Sequence, residues 1–311
     1  MKDSRMIETK GLTKAFGDFV AVDGINLSVK EGSIHGFVGP NGAGKTTTIK
    51  MLVGAIRCTK GEGYIKGHLI GSAAARGLIG YSPEHPSFYK DMPALDYLVY
   101  MARISGLRRD DAERRADELL DWMELGKFWD AEVGTFSAGM KQRLGLAQAL
   151  IHEPEILILD EPTANLDPTG RMSIIEKLKQ LSQEQKVTIL ISSHILSELE
   201  QLVDSVTLID KGHILAEDTT DRLKKMFSRN HYLLKTSDNE VTLEAMRAKP
   251  YVQEGWVDAK GFIHLISEDS VALKREVAET IARSGLLLEY FSEEQVTLES
   301  IYRRTMGLEK E

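Results

Sequence analysis

The 311-residue sequence predicts an α/β fold with a parallel sheet at its centre, followed by a smaller α+β unit. Three observations carry this. Residues 33–38, 156–159 and 187–191 are short apolar runs, the last two rich in β-branched residues, of the kind that fill buried parallel strands. Helical patterning lies between them, most clearly over residues 94–129. Beyond His231 the grain changes, with strand and helix signals alternating at shorter spacing.

The elements follow in order. Residues 6–10, 20–22 and 25–29 alternate as antiparallel strands. The strand at 33–38 leads into a glycine-rich loop, and residues 46–52 leave it as a helix. The run at 108–115 carries both charge signs and predicts a solvated helix face rather than a nucleic-acid patch. Residues 5–220 are therefore expected to form one α/β domain, with a helical subdomain over about 85–150. After a connector at 218–230 comes a strand at 231–236, then a helix at 242–247. A hairpin spans 252–266, turning at Asp258, Ala259, Lys260 and Gly261. A helix at 271–284, a strand at 286–290 and a helix at 297–305 complete a βαββαβ order. That order predicts a small ferredoxin-like accessory domain over 231–307, in which no ligand motif stands out.

Composition narrows the function classes. Hydrophobic content of 42% and charged content of 28% are those of a soluble globular protein. A formal net charge of -8 without a basic stripe argues against nucleic acid as a partner. Cys58 is the only cysteine, which excludes internal disulfides and cysteine-cluster metal sites and fits a reducing cytoplasm. No apolar run approaches the ~20 residues that span a bilayer, and residues 1–6 lack the apolar core of a signal peptide. The chain is expected to be soluble by itself, with any membrane role arising through a partner.

The loop Gly39, Pro40, Asn41, Gly42, Ala43, Gly44, Lys45, Thr46, Thr47 fits the phosphate-binding pattern G-x-x-x-x-G-K-[ST]. Gly42 and Gly44 let the backbone curl so that successive N–H groups face phosphate oxygens. Lys45 is suited to the β- and γ-phosphates, the Thr46 hydroxyl to Mg²⁺, and the following helix directs its positive end at the same place. A nucleoside triphosphate is the predicted ligand. At 157–161 an apolar strand ends in two acids. Asp160 is suited to hold Mg²⁺, and Glu161 to accept a proton from a water attacking the γ-phosphate.

Between these motifs lies Phe136, Ser137, Ala138, Gly139, Met140, followed by a helical run. Ser137 alone reads as a helix N-cap. Taken in this order, the motifs resemble those of the ABC ATPase family, continuously over about residues 5–220. Ser137 and Gly139 match that family's LSGGQ signature, while Ala138 and Met140 depart from it as in exporter-type members. By the same resemblance Gly39 to Thr47 are the Walker A motif, 156–160 the Walker B motif, and Glu161 the catalytic glutamate. Residues 164–167, ending in Asp167, resemble the D-loop, and His194 the switch histidine that contacts the γ-phosphate. Phe16 stands where the family stacks an aromatic on adenine. Glu84 stands where the Q-loop usually offers Gln, which keeps a metal ligand and loses an amide donor. His85, Pro86, Ser87, Phe88 and Tyr89 follow, in a region that faces the membrane subunit in this family. The C-terminal part is more loosely similar to the accessory domain of multidrug and ABC-2 type exporter ATPases.

The resemblance implies ATP and Mg²⁺ as cofactors, with two chains closing head-to-tail so that Walker A of one meets the signature of the other. One Walker A and one signature then imply a homodimer or pairing with a related chain. They also imply an integral membrane permease as partner, export as the direction, and a place on the cytoplasmic face of the cell membrane. The alternatives are a soluble ABC mechanoenzyme or regulator working without a permease, and a P-loop kinase lacking the signature and D-loop.

Overall fold

The computed structural model describes residues 4–164, 166–227, 231–293 and 296–305. Its contacts divide the chain into two compact units, Met1–Thr220 and Asp221–Glu311.

In the first unit the central sheet has six strands. Their spatial order is His213–Thr219, Ser205–Asp210, Ile34–Val38, Thr188–Ser193, Ile156–Asp160, Ile79–Ser82. The last five run parallel, and His213–Thr219 closes one edge antiparallel to Ser205–Asp210. Ile34–Val38 and Ile156–Asp160 are buried at every position, which is why their sequences show continuous apolarity rather than alternation. A second, antiparallel sheet orders Phe19–Ile25, Arg5–Phe16, Lys60–Ile65 and His68–Leu69, with Ser28–Lys30 also paired to Arg5–Phe16.

Helix Lys45–Leu52 belongs to the core shared by both sheets. Ile49 and Leu52 join Leu27 and Val29 on one side and Ile158 and Leu190 on the other. Each such aliphatic side chain removed from water contributes about 1.5–3 kcal/mol, so the loop before the helix stands on rigid ground. The helical segment consists of Ala94–Ile104, Arg109–Trp122 and Ala138–Leu150. The first and last are tied together by the Tyr97 hydroxyl, which donates to Gln148 Oε1 at 2.7 Å.

The second unit has a four-stranded antiparallel sheet ordered Val252–Val257, Ile263–Ser267, His231–Thr236, Leu288–Glu293. Helices Asn239–Arg247 and Ser270–Ser284 follow the first and third strands in sequence, the split-βαβ arrangement expected from the element order. Several boundaries differ from expectation, and the helix expected at 242–247 begins at Asn239, capped by Asp238. The last strand begins at Leu288 rather than 286, because Gly285 ends its helix at φ 64° and Leu286 N–H still bonds back to Ile281. The stretch expected to be a connector carries helix Thr220–Phe227; its last three residues, 228–230, lie outside the described residues, as do 306 and 307 of the expected accessory domain.

Candidate functional site

Parallel pairing delivers three strand ends to one edge of the sheet. Val38 is level with Ser193, and Ser192 with Asp160. The loop after Val38, the acids after Leu159 and the histidine after Ser193 therefore leave the sheet side by side, where open α/β sheets bind ligands.

The loop's conformation follows from its glycines. Gly44 has φ 105°, and a Cβ there would lie 2.7 Å from the Ala21 carbonyl oxygen. Gly39 is tighter, since its Cβ would fall 2.1 Å from the Ile209 carbonyl oxygen. Gly44 stands as N-cap of Lys45–Leu52 without a side-chain cap bond, which leaves the first-turn amides to an anion.

A cavity of about 280 Å³ opens at this edge. It brings together ten residues singled out from the sequence: Pro40, Asn41, Gly42, Gly44, Lys45, Thr46, Thr47, Glu84, Glu161 and His194. Sequence reasoning missed two more of its walls, Phe19 and Ala21. Phe16, the aromatic expected to stack on the base, is not among these lining residues and is 52% exposed beside them. Phe16 and Phe19 are Cα partners across the hairpin, and the Lys14 ammonium already sits 4.9 Å over the Phe16 ring. The tertiary position of the hairpin gives the wall to Phe19, with no sequence signal to distinguish the two rings.

Inside the cavity Lys45 and Glu161 are 5% and 6% exposed. The Lys45 ammonium donates to the Gly39 carbonyl at 2.7 Å and the Pro40 carbonyl at 3.3 Å, and lies 3.3 Å from Glu161 Oε1. Glu161 Oε2 is 2.8 Å from His194 Nδ1 and also accepts the His194 amide at 3.3 Å. Glu161 itself sits at φ 50°, a left-handed conformation uncommon for a residue with a Cβ.

Asp160 lies behind, 2% exposed, accepting the Ser192 hydroxyl at 2.7 Å. Burial and then the Asp160 charge push the neighbouring Tyr81 hydroxyl up to about 12. Ala43 is buried beneath the loop. The residues fit a nucleotide with Mg²⁺ on two counts. Glu161 Oε1 is buried without a hydrogen-bond partner, and the glycine loop forms a cradle in which a Cβ at Gly44 has no room. Thr46 and Glu84 are hard oxygen donors lining that cavity, whereas Asp160, also expected to hold the ion, is buried and does not line it.

Ser137 and Gly139 do not line this cavity. Ser137 caps helix Ala138–Leu150, its Oγ accepting the Met140 amide at 3.2 Å, and its side chain is exposed. Asp167 caps Pro168–Gln185 in the same way through the Gly170 amide at 3.2 Å. Asn165, named with the D-loop, lies outside the described residues. Phe88 packs edge-on against Tyr97 at 5.3 Å, whereas Tyr89 is 58% exposed.

Comparison with known proteins yields one consistent set of matches. The ABC transporter family model matches residues 22–164. The chain is 42% identical to the bacitracin transport ATP-binding protein BcrA of Bacillus licheniformis, over 85% of this chain and 86% of that protein. It is 37% identical to the daunorubicin/doxorubicin resistance ATP-binding protein DrrA of Streptomyces peucetius, over 78% and 74% of the two chains. Among solved structures, the dimeric post-hydrolysis state of the ATP-binding cassette MJ0796, bound to ADP and Pi, superposes with a TM-score of 0.64 at 25% identity. That match covers 69% of this chain and 98% of the cassette.

Proposed function

This chain belongs to the ABC transporter family as an ATP-binding, ATP-hydrolysing protein, and on that premise we propose that it energises a separate integral membrane permease for export. No described helix is long and apolar enough to cross a membrane, so a membrane-spanning partner fits the role. Export is supported by the relatives, one named for bacitracin transport and one for daunorubicin/doxorubicin resistance. The half-exposed aromatics Tyr89 and Tyr100, whose rings meet edge-on at 5.8 Å, suit the permease contact. The chain acts peripherally on the cytoplasmic face.

The reaction is ATP hydrolysis. Glu161 carries the reading, because one buried carboxylate at the mouth of the phosphate cradle touches both Lys45 and His194. Lys45 swings from the Gly39 and Pro40 carbonyls to the β- and γ-phosphates. Glu161 takes the proton of the attacking water, and His194 holds the carboxylate in line and contacts the γ-phosphate. The amides of residues 42–47 orient the phosphate chain, and Phe19 offers a ring to the base beside Phe16. Thr46, Asp160 and Glu84 would hold Mg²⁺, which supplies charge neutralisation across the β- and γ-phosphates. Ser137, exposed at a helix N-terminus, and the half-buried Gly139 beside it act on the ATP of a second copy or related chain, with Asp167 alongside. The dimeric state of the similar cassette supports the pairing of two such chains.

Glu161→Gln tests the assignment. Hydrolysis is expected to fall ~10²–10⁴-fold, equivalent to ~3–5 kcal/mol of barrier, while an ATP-dependent dimer accumulates on size-exclusion chromatography. Undiminished turnover by the purified variant removes Glu161 from the base role.

A further inference from the structure

We propose that Glu198 is a positioning residue for hydrolysis, clamping the chain that follows the general base to the segment that carries His194. The proposal rests on the ATPase reading above. Its starting point is the backbone of Glu161, held at φ 50°. A left-handed conformation at a residue with a Cβ persists only where surrounding contacts over-determine it.

Those contacts are visible on both sides. Upstream, the Glu161 amide donates to Ser192 Oγ at 3.0 Å, and that hydroxyl donates to Asp160. Downstream, Ala164 N–H closes a turn on the Glu161 carbonyl at 3.0 Å. Thr163, 5% exposed, donates its hydroxyl to Glu198 Oε2 at 2.8 Å. The other Glu198 oxygen receives the Arg171 guanidinium at 2.5 Å, and Arg171 Nε donates to the Leu166 carbonyl at 2.9 Å. Glu198 sits on helix Leu196–Leu199, four residues past the histidine whose ring meets Glu161.

One carboxylate, 14% exposed, thus uses both oxygens to hold Thr163 and Arg171 against the segment that follows His194. Its removal leaves the buried Thr163 hydroxyl and the Arg171 charge without their acceptor. The constraint lost adds to the direct Glu161–His194 contacts in fixing where the two residues stand relative to each other. None of these contacts involves residues 39–47, which cradle the phosphates. Turnover, not nucleotide affinity, is therefore the quantity that moves.

The test compares ATP hydrolysis, binding of a fluorescent ATP analogue and thermal unfolding for the parent chain, Glu198→Ala, Glu198→Gln, Arg171→Ala and the double Ala variant. Glu198→Ala is expected to lose ~10–100-fold in kcat, the scale of a misplaced catalytic group, with KM and analogue binding held within ~3-fold. Glu198→Gln should recover part of the loss, since its amide oxygen still accepts from Thr163. The double variant should be no slower than the worse single one, because both act on one lock. An unchanged kcat in Glu198→Ala overturns the clamp, as does a KM that rises in step with a lowered unfolding midpoint. A parent chain that neither binds nor hydrolyses ATP overturns the ATPase reading instead, a result distinct from a variant defect measured against an active parent.

Discussion

The Lys45 ammonium lies 3.3 Å from Glu161 Oε1 within a cavity that leaves both residues almost fully buried. The pair links the phosphate loop to the proposed general base, and each charge depends on the other for compensation. Lys45→Met is therefore expected to do more than weaken ATP binding. Breaking a buried pair on one side leaves an uncompensated charge and costs about 3–5 kcal/mol. Urea unfolding should show that loss, and Lys45→Met/Glu161→Gln should regain much of it because the remaining carboxylate is gone. A double variant no more stable than Lys45→Met would refute the dependence.

The cavity wall is formed by Phe19 rather than Phe16. Base–aromatic stacking contributes about 1–3 kcal/mol, so Phe19→Ala should weaken ATP-analogue binding by roughly 5-fold or more. Phe16→Ala should have the smaller effect, because Lys14 already covers that ring. Equilibrium fluorescence titrations of the two variants decide between them, and the reverse ranking restores Phe16 as the stacking residue.

His35 predicts a pH dependence of stability. Its ring bonds Ser205 Oγ and Thr207 Oγ1, both at 2.7 Å, and burial pushes the imidazole down to about 3. Below the unfolded value near 6.5 the unfolded chain takes up a proton that the folded chain refuses. Stability from this group is thus full above that value and is lost as pH falls, by about 2 kcal/mol at pH 5. Comparing urea midpoints at pH 7 and pH 5 for the parent chain and His35→Asn measures it. Identical slopes in the two proteins would assign the pH dependence elsewhere.

Gly39→Ala should fail at the cradle. The added Cβ would meet the Ile209 carbonyl oxygen at 2.1 Å, and backbone on a central strand cannot withdraw far. A loss of about 3 kcal/mol or more in stability, with weakened ATP binding, is expected. Gly77→Ala is the control. Its Cβ meets nothing within 4 Å at the end of an exposed helix, so thermal unfolding should be unchanged or slightly raised.

Much of the site was legible in the sequence because its chemistry is local. The spacing from Gly39 to Lys45 is itself the loop, and a continuous apolar run ending in Asp160 and Glu161 is itself a buried strand delivering acids to a sheet edge. Between 231 and 293, strand and helix periodicity sufficed for the element order, since the four strands and two helices there pack on a common core containing Tyr232, Leu265 and Val277. Local signals failed where exposure broke the alternation. Lys60–Ile65 is a strand because the distant Arg5–Phe16 offers it an edge, and His213–Thr219 because it turns back on Ser205–Asp210, and the mixed exposure of both hid the period.

By itself the sequence determined the parallel-sheet nucleotide fold and the phosphate loop with its lysine, and it singled out Glu161 and His194 as the proposed base and switch histidine. The tertiary structure alone decided that Phe19 rather than Phe16 walls the cavity. It alone decided that Lys45 and His194 close on the same carboxylate, and that Glu198 reaches Thr163 and Arg171. The physical reason is one of range. Glycine conformation and strand burial act through neighbours in the chain, whereas these contacts join residues 27 to 116 positions apart, through the register of parallel strands.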